Sequence, residues 1–311
     1  MRYFITWGSV FAVLSIAACG TTPGGKSAST ERPPIIDMHM HASDVTFTDD
    51  GKPLLRPCRP EPCTRLPAEF GTDEEVLQGT LAAMEKYNIV KAVLSEGDFD
   101  RLRHWVDAAP ARFIPSPAWS STFPDIDFPR AEYRAGRFEA MGEIGTQYAG
   151  IAPDDPRLEP YFALAEELDL PLLIHVKGAG APNPRYRISM GSPLLLEDTL
   201  VRHPKLRLYL EDAAYPFADE LIALLSRHPQ VYTDLSASMW IMPREAFHNY
   251  LYRLMREGLG KRLMFGSDQM QWPEVIGVAI ESIETAPFLS EDEKRDIFYN
   301  NAARFLRLEQ E

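Results

Sequence analysis

Two histidines one residue apart, in the run Ile35-Ile36-Asp37-Met38-His39-Met40-His41, set the chemical question for this chain. On an extended strand alternate side chains leave on the same face, so the imidazoles of His39 and His41 can reach one point. Imidazole nitrogens are neutral ligands for divalent metals of intermediate softness, and two from one strand would supply half of a four-ligand centre. Taken alone, the pair also fits two core or surface histidines that meet by accident. The surrounding elements must decide.

Short apolar runs alternate with longer helical patterns. With Ile35-Ile36, the runs at 90–94, 113–115, 140–143, 172–175, 206–210, 231–234 and 263–266 give eight candidate strands. Amphipathic segments near 72–88, 158–169, 193–203, 216–228, 243–259 and 271–285 lie between them, most with acidic residues early and basic residues late. Strand then helix, repeated, is the pattern of a single-domain α/β protein, a (β/α)8 TIM barrel. Pro117–Arg137 fits it least well. A doubly wound open sheet competes, but no glycine-rich phosphate loop follows the first strand.

In a barrel, chemistry collects at the C-terminal strand ends. The polar residues ending the runs are His39 and His41, Glu143, His175, Glu211 and Asp212, Asp234, and Asp268. Nearly every available ligand type therefore falls at one rim. Asp37 could orient a ligand imidazole from behind or could satisfy barrel hydrogen bonds.

The ordered set His-x-His, Gly-Glu-Ile-Gly, Leu-Ile-His and Phe-Gly-Ser-Asp resembles the amidohydrolase superfamily of metal-dependent barrels, in particular its amidohydrolase-related branch, across residues 34–308. The resemblance implies that His39, His41, His175 and Asp268 are metal ligands and that Glu143 is a carboxylate able to bridge two ions. A divalent metal follows, zinc first with manganese or iron as alternatives, as one or two ions. An open metal position acidifies bound water at neutral pH. Asp268 could then act catalytically, taking the nucleophile's proton and passing it to the leaving group; its other reading is a helix N-cap.

The sixth strand departs from the family pattern. Where relatives commonly read His-Ala-Gly-Tyr-Pro, this chain reads Asp212-Ala213-Ala214-Tyr215-Pro216. Asp212, a harder ligand than imidazole, is the expected metal ligand there. Strand parity favours a rival, because Leu206, Leu208 and Leu210 facing the helices would turn Glu211 inward unless a bulge intervenes. Lys177, Arg185 and Arg187 are candidate holders of a substrate carboxylate or phosphate, although both arginines also read as solvated loop charges. Trp119 and Trp240 could line an apolar pocket or simply pack loops. His104, His203, His228 and His248 read as structural or surface residues.

The ends carry a second message. Arg2, the apolar run Phe4–Ala18 and small residues before Cys19 have the form of a secretory signal, too short to span a membrane as a helix. Ile16-Ala17-Ala18-Cys19 resembles the bacterial lipobox, which implies lipidation at Cys19 and, with Gly20 following, an exported lipoprotein of the outer membrane facing periplasm or surface. Residues 1–18 are then signal, 19–33 a flexible tether and 34–308 the barrel. In that oxidising compartment Cys58 and Cys63 are expected to form a disulfide within the long proline-rich first loop, read as a lid or wall.

A net charge of −13 argues against non-specific nucleic-acid binding. The expected partners are a small-molecule substrate and a membrane, with a homodimer left open. The expected activity is metal-dependent hydrolysis of a small ester, lactone, amide or phosphoester. A decarboxylase of the same branch and a catalytically weak metal-binding lipoprotein are the alternatives.

Overall fold

Apolar runs seed most strands of this protein, and the strands among the described residues pair in parallel. The computed structural model describes Met1, Tyr3 and residues 32–43, 71–178 and 184–308. The chain divides into two units at Glu31 and Arg32, and every strand and helix named below belongs to the second. Its strands are β1 (Ile35–His41), β2 (Ile89–Glu96), β3 (Phe113–Pro117), β4 (Met141–Ile144), β5 (Pro171–His175), β6 (Arg207–Glu211), β7 (Tyr232–Asp234) and β8 (Leu263–Met264). They hydrogen-bond in sequence order as β1-β2-β3 and β4-β5-β6-β7-β8.

Two seams join these sheets into a (β/α)8 barrel. Between β1 and β8, Met38 N donates to Phe265 O at 2.8 Å and Asp268 N to His39 O at 2.7 Å. Between β3 and β4, the carbonyl of Pro115 accepts from Glu139 N and Ala140 N at 2.9 and 3.2 Å. In a parallel strand a residue's N–H and C=O leave on the same edge, so Pro115 and Pro117, two apart, both face β4 without a donor. The regular ladder fails there. It resumes at Trp119, which donates to Glu143 O at 3.0 Å and accepts from Gly145 N at 3.0 Å.

Helices follow the strands: α1 (Asp73–Lys86), α2 (Phe99–Ala108), α3 (Asp127–Arg134), α4 (Glu159–Glu167), α5 (Glu197–Arg202), α6 (Ala218–Arg227), α7 (Ser238–Ile241), α8 (Arg244–Arg256), α9 (Val275–Glu284), α10 (Glu291–Arg295) and α11 (Asn301–Leu306). Five of them, α2, α3, α7, α10 and α11, lie outside the helical segments read from the sequence, and the first two show why. The first is capped by Asp98, whose carboxylate accepts from Asp100 N and Arg101 N, and buries Leu102 and Trp105. The second tolerates Pro129 because its first turn needs no donor there. Residues 193–196 form a 3-10 turn before α5, and α9 starts only after Pro273. Among the described residues no helix is long and apolar enough to cross a membrane.

The core has two faces. Met40, Leu94, Leu172, Ile174, Leu208 and Leu210 pack outward in the large cluster shared with the helices. Ile36, Met38, Val93, Ile114, Leu173, Tyr209 and Met264 fill the interior together with Ala302, Ala303 and Phe305 of α11. Arg207, at the start of β6, donates to Phe305 O at 2.8 Å, so α11 closes the N-terminal end of the barrel. The opposite rim is left for the polar groups.

Candidate metal centre

β1 delivers its histidines through a change of phase. Ile36 and Met38 belong to the interior layer, yet His39 and His41 also turn inward, because the pairing to β2 slips between Asp37 and Met40. Such a bulge resets alternation at the strand end. Asp37 is thereby taken off the inner face. Its Oδ1 accepts from His39 N at 3.0 Å and Ser267 N at 2.8 Å, tying β1 to the chain after β8. The option that Asp37 orients an imidazole ring is replaced by this backbone role; burial pushes its carboxyl up to about 7 against those hydrogen bonds.

The ring is oriented from β7 instead. His39 Nδ1 lies 2.8 Å from Ser236 Oγ and 3.3 Å from Asp234 Oδ2. The Ser236 hydroxyl and N–H donate to Asp234 Oδ1 at 2.5 and 3.1 Å, and Asp212 N adds a third bond at 3.0 Å. A proton held on Nδ1 by this carboxylate–serine pair leaves the Nε2 lone pair for a ligand. His41 is fixed differently: Gln269 accepts from His41 N at 3.0 Å and donates to His41 O at 2.7 Å.

Both Nε2 atoms then converge. They are 3.1 Å apart; Asp268 Oδ1 is 3.1 Å from that of His41 and 3.8 Å from that of His39. Glu143 Oε2 lies 3.5 and 3.8 Å from the same two atoms, and Glu211 Oε1 is 3.6 Å from His39 Nε2. Ligand atoms around a tetrahedral ion with bonds of about 2.0–2.2 Å sit about 3.3–3.6 Å from one another. Two overlapping triads, His39–His41–Asp268 and His39–Glu143–Glu211, have metal-holding proximity among the described residues. The donor set therefore fits a divalent ion.

Electrostatics agree. His39 is buried, which opposes protonation, yet Glu211, Asp268, Asp234 and Glu143 raise it well above the ordinary imidazole value. His41 is raised in the same way, chiefly by Asp268. Burial and the surrounding carboxylates drive Glu211 well above the usual range, and among the described residues neither of its oxygens has a hydrogen-bond partner. Burial also opposes ionisation of Glu143, but the neighbouring imidazoles hold it low. A cavity rich in acceptors and short of cations is a place for a positive ion.

Glu143 reaches the rim because Gly142 precedes it at φ 126°, where a side chain would collide with Leu173. His175 is close by but differently engaged. Its Nδ1 meets Gln147 Oε1 at 2.9 Å, and its Nε2 faces Tyr148 OH at 3.0 Å and Asp212 Oδ2 at 3.2 Å. Asp212 also accepts from Lys177 Nζ at 2.7 Å. Despite burial, that carboxylate keeps the Lys177 ammonium above its ordinary value, and Lys177 with His175 holds Asp212 below its own. Glu211 and Asp212 thus both reach the rim, Glu211 facing His39 and Asp212 facing His175 and Lys177.

The remaining sequence candidates separate clearly. Arg187 is exposed and donates to the carbonyls of Pro184 and Tyr186, which turns it into its own loop. Arg185 is exposed, with its backbone against Gly150. Trp240 donates to Ser267 O at 2.8 Å and packs the loop after β8; Trp119 packs on Tyr161. Asp268 caps no helix, since α9 begins at Val275. Cys19, Cys58 and Cys63 lie outside the described residues. A cavity of about 1030 Å³ between α2 and α3, floored by Phe99, Phe128 and Phe138, contains none of the candidate ligands.

A sequence model of the amidohydrolase family matches residues 36–308. The chain belongs to the amidohydrolase family. No curated protein matches it. Among solved structures, this amidohydrolase is similar to an uncharacterized TIM-barrel protein from Bordetella bronchiseptica, at 17% identity and TM-score 0.64, covering 88% of this chain and 99% of that one. It is also similar to a probable 2-pyrone-4,6-dicarboxylic acid hydrolase from Acinetobacter baumannii with citric acid bound, at 13% identity and TM-score 0.58, covering 89% and 100%. A third is 5-carboxyvanillate decarboxylase from Novosphingobium aromaticivorans, complexed with manganese and a nitrobenzoic acid, at 18% identity and TM-score 0.52, covering 73% and 79%. Identities this low establish the shared fold. Family and rim together make this amidohydrolase an enzyme with a divalent-metal centre.

Proposed function

We propose that this amidohydrolase is a metal-dependent hydrolase of a small ester, lactone, amide or phosphoester, with carboxylate-bearing lactones and esters first among them. The observation that carries the reading is the pair of overlapping ligand triads at the rim, His39–His41–Asp268 and His39–Glu143–Glu211, which share His39. A divalent ion held there would polarise a carbonyl or phosphoryl oxygen and acidify water. The chain's own groups supply the rest. Asp268 and Glu143, at 11% and 14% side-chain exposure, are the carboxylates nearest the mouth, and Asp268 is the one assigned to take a proton from water and return it to the leaving group. Asp234 and Ser236 fix the His39 tautomer, and Gln269 fixes the backbone of His41. Lys177, anchored by Asp212, holds a cation at the edge of the centre where a substrate carboxylate would dock.

Similarity to the probable dicarboxylic acid hydrolase supports this choice, and similarity to the decarboxylase supplies a second reading, since both named substrates bear carboxylates. The discriminating assay incubates metal-replete protein in oxygen-18-labelled water with a panel of lactones, esters and aromatic carboxylates. Product carrying the heavy oxygen is expected. Release of carbon dioxide without label incorporation would replace hydrolase by decarboxylase. The proposal extends to location: Cys19 carries lipid, and the barrel works outside the cytoplasm, tethered to a membrane.

A further inference from the structure

The sixth strand ends in two adjacent acids, and their surroundings differ. On β6, Leu208 and Leu210 pack outward against the helices while Tyr209 packs inward, so the alternation that governs a strand sends Glu211 into the barrel. Its side chain is fully buried, its two oxygens have no hydrogen-bond partner among the described residues, and Oε1 stands 3.6 Å from His39 Nε2. A buried carboxylate without hydrogen bonds is costly unless a cation meets it, and the group opposite Oε1 is the His39 ring that would share the metal. Asp212 is the contrary case. It follows the strand in a left-handed turn, with φ of 61° at Asp212 and 48° at Ala213, which swings its carboxylate away along the rim. There Oδ1 takes the Lys177 ammonium at 2.7 Å and Oδ2 meets His175 at 3.2 Å.

We propose that Glu211, rather than Asp212, is the sixth-strand ligand of the divalent metal, and that Asp212 serves as the counter-ion that holds Lys177 in place. Metal binding and the anchoring of Lys177 are thus divided between neighbouring residues. A carboxylate in place of an imidazole adds negative charge to the ligand set and hardens it, which shifts preference towards oxygen-favouring ions such as manganese relative to zinc. This inference rests on the metal-centre reading above and specifies which atoms make it.

The test compares Glu211→Gln with Asp212→Asn, both close to isosteric, in the full chain. Manganese affinity is measured by electron paramagnetic resonance titration, and the melting temperature is recorded with and without manganese. Loss of supporting groups around a ligand weakens metal binding about 10–100-fold, and loss of the ligand itself should cost at least about 100-fold. Glu211→Gln is expected to show that loss and to lose most of the metal-induced rise in melting temperature. Asp212→Asn should stay within about tenfold of wild type. Equal losses in both variants, or a larger one in Asp212→Asn, would overturn the assignment. If Glu211→Gln does not fold, Glu211→Asp retracts the carboxylate by one methylene and must still weaken binding more than Asp212→Glu. Wild-type protein that binds no divalent ion would overturn this inference and the proposed function together, whereas tight wild-type binding unaffected by Glu211→Gln would overturn this inference alone.

Discussion

Replacing Asp234 by Asn should weaken metal binding without touching a single candidate ligand. Asp234 Oδ1 accepts from Asp212 N, Ser236 N and Ser236 Oγ at 3.0, 3.1 and 2.5 Å, so those three donors would hold the amide oxygen of an Asn in the same place. The amide nitrogen would then take the place of Oδ2, which lies 3.3 Å from His39 Nδ1. An N–H aimed at Nδ1 favours the tautomer whose proton sits on Nε2, and that tautomer has no lone pair to offer a metal. Restoring the useful tautomer means breaking that contact, and outer partners of this kind are worth about 10–100-fold in affinity, or about 1.4–2.7 kcal/mol. Competition against a chelating fluorophore measures the change directly. Because every bond to Oδ1 survives, the metal-free variant should melt within a few degrees of wild type. Affinity within about twofold of wild type would refute the tautomer argument.

Two further outcomes are expected. In metal-free protein the carboxylates hold His39 and His41 above the ordinary imidazole value, so both rings keep their protons to higher pH than a free imidazole, and metal binding must release whatever protons their ligand nitrogens carry. Their contribution to stability is present below the unfolded imidazole value and is lost as pH rises through the folded one. The metal-free melting temperature should therefore fall with rising pH while metal affinity grows, and calorimetry in buffers of different ionisation enthalpy should count the protons released; zero release would contradict the geometry. At the other end of the chain, Cys19→Ser should abolish incorporation of labelled palmitate in a bacterial host and move the protein from the membrane to the soluble fraction, and unchanged labelling would dismiss Cys19 as the anchor.

Much of the barrel is legible in the sequence because its strands are apolar runs and its rim is polar. The leucines of β6 even foretell the inward turn of Glu211, since a regular strand has only two faces. What the runs do not carry is phase slip. Asp37, His39 and His41 alternate perfectly in sequence, yet the bulge after Met38 puts the histidines inside and leaves Asp37 to bind backbone. Partners from distant elements are equally silent: Asp234 stands visibly at a strand end, but only the closed barrel brings it to His39, and nothing local marks Gln269 as the clamp on His41. Helix α3 hides behind Pro129, an apparent breaker that sits harmlessly in a first turn. Arg187 reads as a substrate cation because charge in a loop says nothing of direction; in the folded chain it bonds its own loop's carbonyls.

The closing seam between β1 and β8 has a consequence for how the protein comes into being. His39 and His41 leave the ribosome well before Asp268 and the α11 residues that stop the barrel's far end. The full ligand set cannot come together until Asp268 has been added and the β1–β8 seam has closed. If the chain crosses a membrane before folding, that timing keeps the ion from being captured on the wrong side.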